Sequence, residues 1–416
     1  MIGTRVRKIL SDVLSRKART LLVAASIYVG VLGVIALFTT RDLIEQQLAE
    51  DVQPAQLSMI DVQVSLGEGA QPDNATIIAT LNQANEAGAA ITALEGIETV
   101  EGQAFYPIEH RKRDGDSFQT AELRAYSSPL AEVQIEPMRL IEGAWPGENE
   151  VAVERRFASA NNYAIGDEIV FQGLQDGTPV DVTYTISGLV YHPYIFKGLT
   201  GDQPGPEVGI YAQYETAQNL LGFAGYSEFV ARYETFEAAE ANYTGFQSAL
   251  LSISPYVPVF PTFENPDDNT QVENAAIFNN ILTALAFVTM IVSGFIVVNV
   301  VSTIIVEQKR QIGAMKAIGA DAGDNFFIYA GIALVYGLLG TIFAIIPGVI
   351  TGYFTTQFLA PQLDIFLEGF AWSPNAVLIG VALGLIVPIL AAIIPVYNGV
   401  RVRIIDAITD LGISSD

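Results

Sequence analysis

From Leu21 to Thr40 the chain reads LLVAASIYVGVLGVIALFTT, and no charged side chain lies between Arg19 and Arg41. A helix needs roughly 20 apolar residues to cross a hydrocarbon core, so this stretch reads as a membrane span. Three more uncharged intervals meet the same test, bounded by Glu273 and Glu307, Asp324 and Asp364, and Glu368 and Arg401. Runs this long exceed the core helices of soluble proteins. Composition agrees: half of the 416 residues are hydrophobic and only 16% are charged. The expected fold is a membrane protein, with a four-helix α-helical transmembrane domain and a mixed α+β extracytoplasmic domain inserted between the first two spans.

The formal net charge of −24 is unevenly spread. Arg41 to Ala275 holds 10 Lys and Arg against 36 Asp and Glu, while the remainder holds 11 against 9. The acidity thus belongs to the inserted block, which makes nucleic acid an unsuitable partner. Outside that block the basic residues are Arg5, Arg7, Lys8, Arg16, Lys17 and Arg19 before the first span, Lys309, Arg310 and Lys316 between the second and third, and Arg401 and Arg403 after the fourth. The loop between the third and fourth spans has Asp364 and Glu368 and no cation. The positive-inside rule puts every basic loop in the cytoplasm, and hence both termini, in a multi-pass plasma (inner) membrane protein whose acidic domain lies outside.

The expected organisation is an amphipathic cytoplasmic helix over 1–20, spans at 21–40, 276–306, 325–356 and 373–400, the extracytoplasmic domain over 41–275, a cytoplasmic segment over 307–324, a short outer loop over 357–372 and a cytoplasmic tail over 401–416. A cleaved signal peptide is the competing reading of the first span. Its apolar run is too long for that, and Ala36 to Thr40 offers a poor cleavage site. The helix over Val6 to Leu14 suits the inner membrane face, although a topology anchor would explain its cations equally well. The second interval would run about 50 Å as a helix, against a hydrocarbon core of roughly 30 Å. Either the excess projects outward as a stalk, or the helix tilts and starts late. Gly348 with Gly352 and Gly380 with Gly384 match GxxxG, a spacing that lets helices approach closely and is a weak sign of a dimer. No Asp, Glu, Lys, Arg or His lies deep in a span, which argues against an ion-coupled pathway.

In the acidic block, Ala75–Leu94, Gln213–Phe223 and Phe236–Ser252 read as helices. Glu98–Pro107, Glu150–Glu154, Asp167–Gln172, Val180–Tyr191 and Glu228–Tyr233 read as strands, in one domain or two lobes. With no cysteine, disulfides, thiolate metal sites and cysteine nucleophiles are excluded. His110 and His192 stand far apart with no metal-ligand spacing around them. His110 opens the basic run His110 to Arg113, read as a solvated loop or a partner-binding spot. Gly201 to Pro206 reads as a turn-rich connection or contact loop.

No GxxxxGK[ST] phosphate loop occurs, so the chain is not itself a P-loop ATPase and no enzyme is expected here. Directly after the second span comes Glu307-Gln308-Lys309-Arg310-Gln311-Ile312-Gly313-Ala314-Met315-Lys316-Ala317-Ile318-Gly319-Ala320. As a helix it would set Ile312, Met315 and Lys316 near one face, with Gly319 as a stop. This segment resembles the signature of the FtsX-like permease family, of the MacB/LolC type, E-x-[RK]-R-x-I-G-x-x-[KR]-A-[IL]-G-A. Gln311 departs from it, standing where an acidic residue is usual. The resemblance extends to the basic N-terminal helix and the four-span layout. It also covers Glu142–Val153, Ile165–Ile169 and Tyr184–Val190, which are similar to the family's MacB-like periplasmic core domain. The tail Asn398–Asp410 is similar to the family ending, without its proline.

The resemblance implies an ABC transporter permease that works as a dimer, with a second permease copy in a homodimer or paralogue heterodimer. A separate ABC-type ATPase subunit would carry ATP and Mg, leaving no cofactor and no metal in this chain. It implies ATPase coupling through Glu307, Arg310, Ile312, Gly313, Lys316, Gly319 and Ala320, none of them catalytic. The implied cargo is a lipid, lipoprotein, peptide or hydrophobic drug, exported or extracted by movements of the extracytoplasmic domain, with a periplasmic adaptor as a further partner. The alternative is an FtsX-like transmembrane regulator that activates cell-wall hydrolases and transports nothing. The size of the extracytoplasmic block favours the exporter.

Overall fold

Nothing after Thr40 breaks the helix that the first apolar run begins. In the computed structural model, which describes residues 3–15, 17–67, 69–83, 94, 96–112, 116–175, 177–195, 208–268, 270–308, 311–312, 314–315, 319–363 and 365–400, the helices are α1 (Thr4–Ser15), α2 (Lys17–Asp51), α3 (Asn74–Asn82), α4 (Arg155–Asn161), α5 (Tyr214–Leu221), α6 (Phe236–Ile253), α7 (Thr270–Glu307), α8 (Ala322–Leu359) and α9 (Pro374–Val400). Helix α2 therefore continues well past the expected boundary at 40. Arg41 to Glu50 are nearly all good helix formers, and Arg41 pairs with Glu45 one turn on at 3.4 Å. The helix ends just before Gln53-Pro54, where a proline forbids another turn. Helix α7 runs unbroken from Thr270, and α8 carries Pro347 without interruption. The chain divides into two units, Met1–Gln47 with Ala275–Asp416, and Leu48–Asn274.

In the first unit α2, α7, α8 and α9 are each long and apolar enough to cross a membrane. In their most apolar windows 44% of residues are buried in α2 and in α8, against 17% in α7 and 22% in α9, so α2 and α8 form the centre of the bundle. The GxxxG glycines explain how. A Cβ built on Gly348 would lie 2.9 Å from the Ile35 Cβ, and one on Gly352 would lie 2.7 Å from the Thr39 Cβ, both on α2. Gly380 abuts Ile35, and a Cβ on Gly384 would lie 2.7 Å from Val31 Cγ2. Both motifs are thus occupied within one chain, and neither signals a dimer. Helix α1 does not simply rest on a membrane face. Its Ile9 and Val13 are buried in one cluster with Ile328, Tyr329 and Ile332 of α8, while Val6, Leu10 and Leu14 stay exposed.

The second unit is built on strands β1 (Ile60–Leu66), β2 (Ile97–Arg111), β3 (Gln119–Tyr126), β4 (Arg139–Gly143), β5 (Glu150–Glu154), β6 (Glu168–Gln175), β7 (Thr178–Tyr191), β8 (Val208–Tyr211), β9 (Glu228–Tyr233) and β10 (Tyr256–Phe263). They join in one hydrogen-bonded sheet, ordered β10-β1-β9-β2-β3-β8-β5-β7-β4, with β6 bridging β2 and β7. The β3–β8 and β5–β7 pairs are parallel, and the rest are antiparallel. Strand alternation gives the sheet two unlike faces. Val62, Val100, Ala104, Leu123, Phe229 and Ala231 enter a core with Ile77 and Leu81 of α3, Leu220 of α5 and Phe246 and Leu250 of α6. By register the other face carries Asp61, Gln63, Glu101, Gln103, Glu122, Arg124 and Glu228. The segment after β3 reaches that face, where the Gln134 amide donates to Glu101 Oε1 at 3.1 Å. At the end of α2, buried Asp51 takes Arg139 Nη1 of β4 at 3.2 Å and the Tyr191 hydroxyl of β7 at 3.1 Å.

The basic run at His110 is not a solvated loop. His110 is a buried residue of β2 whose Nδ1 lies 3.2 Å from the Tyr163 hydroxyl. Arg111 pairs with Asp181 at 2.7 Å and Lys112 with Asp167 at 2.8 Å, so these cations are engaged within the domain. Arg113, residues 84–93 of the expected Ala75–Leu94 helix and Gly201–Pro206 lie outside the described residues.

Candidate functional site

The segment after α7 is positioned by its first two residues. Glu307, the last residue of α7, forms an ion pair with Arg19 near the start of α2. Gln308 is 2% exposed, and its Oε1 accepts the Tyr329 hydroxyl of α8 at 2.7 Å. A buried amide and phenol satisfy each other here, and removing one partner would cost about 1–3 kcal/mol of desolvation left uncompensated. The Ile312 amide then donates to the Gln308 carbonyl at 3.0 Å. Ile312 is 2% exposed, in one cluster with Ile304 and Ile305 of α7, Ile328 of α8, and Ile9 and Val13 of α1. Met315 packs against the same cluster.

The segment closes as its glycine suggests. Gly319 has φ +103°, where a side chain is strained, and the Ala320 amide returns to the Met315 carbonyl at 2.9 Å. Asp321 and Asp324 then form a reciprocal capping box that starts α8. Open space surrounds Gly319, so Gly319→Ala meets only backbone strain. Its expected cost is about 1–2 kcal/mol, read as a small fall in the thermal midpoint of the detergent-solubilised chain.

Of the seven residues suggested by the sequence, Ile312 is an anchor buried in the bundle, Glu307 is engaged by Arg19, and Gly319 and Ala320 form the closing turn. Arg310, Gly313 and Lys316 lie outside the described residues. Gln308, Tyr329 and Arg19 were missed. Gln308 occupies a free position of the signature, and no local signal marks Tyr329 as its partner or Arg19 as the partner of Glu307. Elsewhere in the first unit, α2 and α7 bound an open groove of about 540 Å³, lined by Ala25, Ser26, Val29, Val288, Val292 and others.

Among the described residues the second unit offers no comparable chemistry. Among the described residues no group of three or more His, Asp or Glu side chains could hold a metal ion. Burial, reinforced by the Arg124 guanidinium, pushes the His192 imidazole down to about 3, and its Nε2 lies 2.8 Å from the Glu136 carbonyl. That ring is a neutral structural donor. His110 is likewise lowered by burial.

The chain matches the FtsX-like permease C-terminal family over residues 283–403. It is 32% identical over 131 residues to the macrolide export ATP-binding/permease protein MacB of Escherichia coli K12, a match covering 30% of this chain and 19% of that protein. It is 22% identical over 350 residues to the MacB of Pasteurella multocida, covering 82% of this chain and 52% of that protein. In both cases the match spans well under two thirds of the relative's length. Among solved structures, the periplasmic region of MacB from Actinobacillus actinomycetemcomitans aligns with a TM-score of 0.33 at 14% identity, over 53% of this chain and 95% of that one. The family match falls on the second, third and fourth apolar helices and on the segment whose geometry is described above, so this part of the chain is similar to the C-terminal domain of FtsX-like permeases.

Proposed function

We propose that this chain is the permease subunit of an ABC transporter, in which a separate ATPase docks on residues 307–324 and drives the inserted domain to export or extract a lipid, lipoprotein, peptide or hydrophobic drug. The observation that carries this reading is the anchoring of the segment. Buried Ile312 and Gln308 fix it to α1, α7 and α8, so a push on it moves helices instead of bending a loop. Helices α2 and α7 have 35 and 38 residues, about 52 and 57 Å, and each is unbroken along its length. Rigid rods of that length carry displacement across a core of roughly 30 Å. In this reading ATP and Mg sit on the ATPase, both termini are cytoplasmic, and the membrane is the plasma (inner) membrane. A second permease copy completes the transporter, and a periplasmic adaptor is a further partner.

The test is gentle detergent extraction of the tagged chain and mass spectrometry of what co-purifies, with Lys316→Glu alongside. A Walker-type ATPase that accompanies the wild type and is lost from the variant is the expected result. Absence of any ATPase from both preparations would remove the transporter reading and direct the search to a signalling partner of the inserted domain.

A further inference from the structure

We propose that Glu307 is one half of an intramolecular clamp with Arg19, and that Arg19, Glu307, Gln308 and Tyr329 position the coupling segment without themselves meeting the ATPase. This rests on the proposed permease function and divides its docking segment into an inward-facing and an outward-facing part. Three ties converge at one end of the bundle. The Arg19 guanidinium holds Glu307 at the end of α7. The neighbouring Thr20 donates its hydroxyl to the Val13 carbonyl at 2.8 Å, which fixes α1 to the start of α2. The Tyr329 hydroxyl holds buried Gln308 at 2.7 Å, which fixes the segment to α8.

Together they tie the start of the segment to α2 and α8, with α1 held to α2. A Glu307 that docked on another protein would first have to give up the Arg19 guanidinium. Gln308 has no surface to offer a partner at all. The Arg19 and Glu307 side chains are 23% and 44% exposed, and an ion pair that open adds little to stability. Its effect is therefore on geometry: it holds the start of α2 against the end of α7, where the segment begins. Loss of the clamp should leave assembly intact and slow turnover.

The experiment compares wild type, Arg19→Glu, Glu307→Arg and the double swap in membranes. It measures the ATPase that co-purifies with each and its rate with Mg and ATP. The clamp predicts equal co-purification, a several-fold lower rate in each single variant, and near wild-type rate in the double swap. Tyr329→Phe, which removes only the hydroxyl, should also lower the rate without loss of binding. A double swap as slow as the singles, or singles that lose the ATPase, would place Glu307 at the docking surface and overturn the clamp. Singles with wild-type rate would overturn it too.

If no ATPase accompanies even the wild type, the permease reading fails and the clamp is tested alone. The chain has no cysteine, so Arg19→Cys with Glu307→Cys can be joined by a short bis-thiol reagent. Cleavage at a protease site placed in the inserted domain then shows whether the two fragments stay joined. The clamp predicts faster joining than for Arg19→Cys with Gln311→Cys, and equal or slower joining overturns it.

Discussion

Gly352→Leu is expected to unseat α8 from α2 and to cause a large loss of thermal stability. A Cβ at this position would lie 2.7 Å from the Thr39 Cβ and 2.9 Å from the Ala36 carbonyl oxygen. The second of these is backbone in the middle of a helix, which cannot turn aside as a side chain can. The Gly352 carbonyl also accepts the Thr40 hydroxyl at 3.1 Å and the Thr356 hydroxyl at 2.9 Å, so separating the helices breaks a buried hydrogen bond as well. Overpacking alone costs about 1–3 kcal/mol, and the lost bond adds about 1. Together these reach about 3 kcal/mol, enough to change the packing of a marginally stable bundle. The measurement is the thermal midpoint of the detergent-solubilised chain, with Phe354→Leu on the exposed side of α8 as the control. A midpoint shift no larger than the control's would overturn the tight seat on α2, and one that depends on protein concentration would mean that Gly352 faces another chain.

Glu228→Gln should stabilise the inserted domain at pH 8 and leave it unchanged near pH 4.5. On the polar face of the sheet, burial pushes the Glu228 carboxyl up to about 8, with Asp61 the next cause and Glu136 and Glu122 adding to it, while Arg124 opposes. Glu101 and Glu136 are raised as well, each chiefly by burial. A carboxyl that holds its proton more tightly when folded favours the folded state at low pH. That contribution is complete below the unfolded value near 4.5 and is lost as pH rises toward 8. Glutamine keeps the neutral shape and cannot ionise. The gain at pH 8 should be about 2 kcal/mol, well below the full shift, because Glu228 is only partly buried and water screens the rest. His192 and His110 act oppositely. Held neutral in the fold, they weaken it as pH falls below their unfolded value of about 6.5, an effect that cancels when variant and wild type are compared. The readout is Trp145 fluorescence during thermal unfolding, with Trp372→Phe as the background. A variant no more stable than wild type at pH 8 would show that Glu228 is ionised in the folded domain without penalty.

The four spans were legible because a membrane imposes a property that local sequence must satisfy residue by residue. An uncharged run such as Leu21–Thr40 has few other uses. Within the inserted domain Glu150–Glu154 and Glu228–Tyr233 were read with their bounds, since both are short runs bounded by turn residues. Strand β10 was missed because Pro258 and Pro261 argue against a strand. It forms at the sheet edge, where a proline need not donate to a second neighbour. Strand β3 was missed because Glu122 and Arg124 sit inside it, on a face whose polar cover comes from another part of the chain. The His110 run looked solvated for the same reason: Asp181 and Asp167, which pair with its cations, are about 55 to 70 residues away along the chain.

By itself the sequence determined that this chain crosses a membrane four times, that its net acidity belongs to one inserted domain, and that residues 307–320 resemble a family signature. These are sums or short-range patterns, which a linear read contains in full. Only the tertiary structure decided what the small and polar residues do. GxxxG announces a close approach without naming the partner, and here the partner of Gly352 is Thr39 of the same chain. The signature marks Glu307 without saying that Arg19, 288 residues earlier, holds it, or that Tyr329 holds Gln308. Which groups meet across a helical bundle depends on crossing angle and rotation, and those follow from the packing of all its helices together.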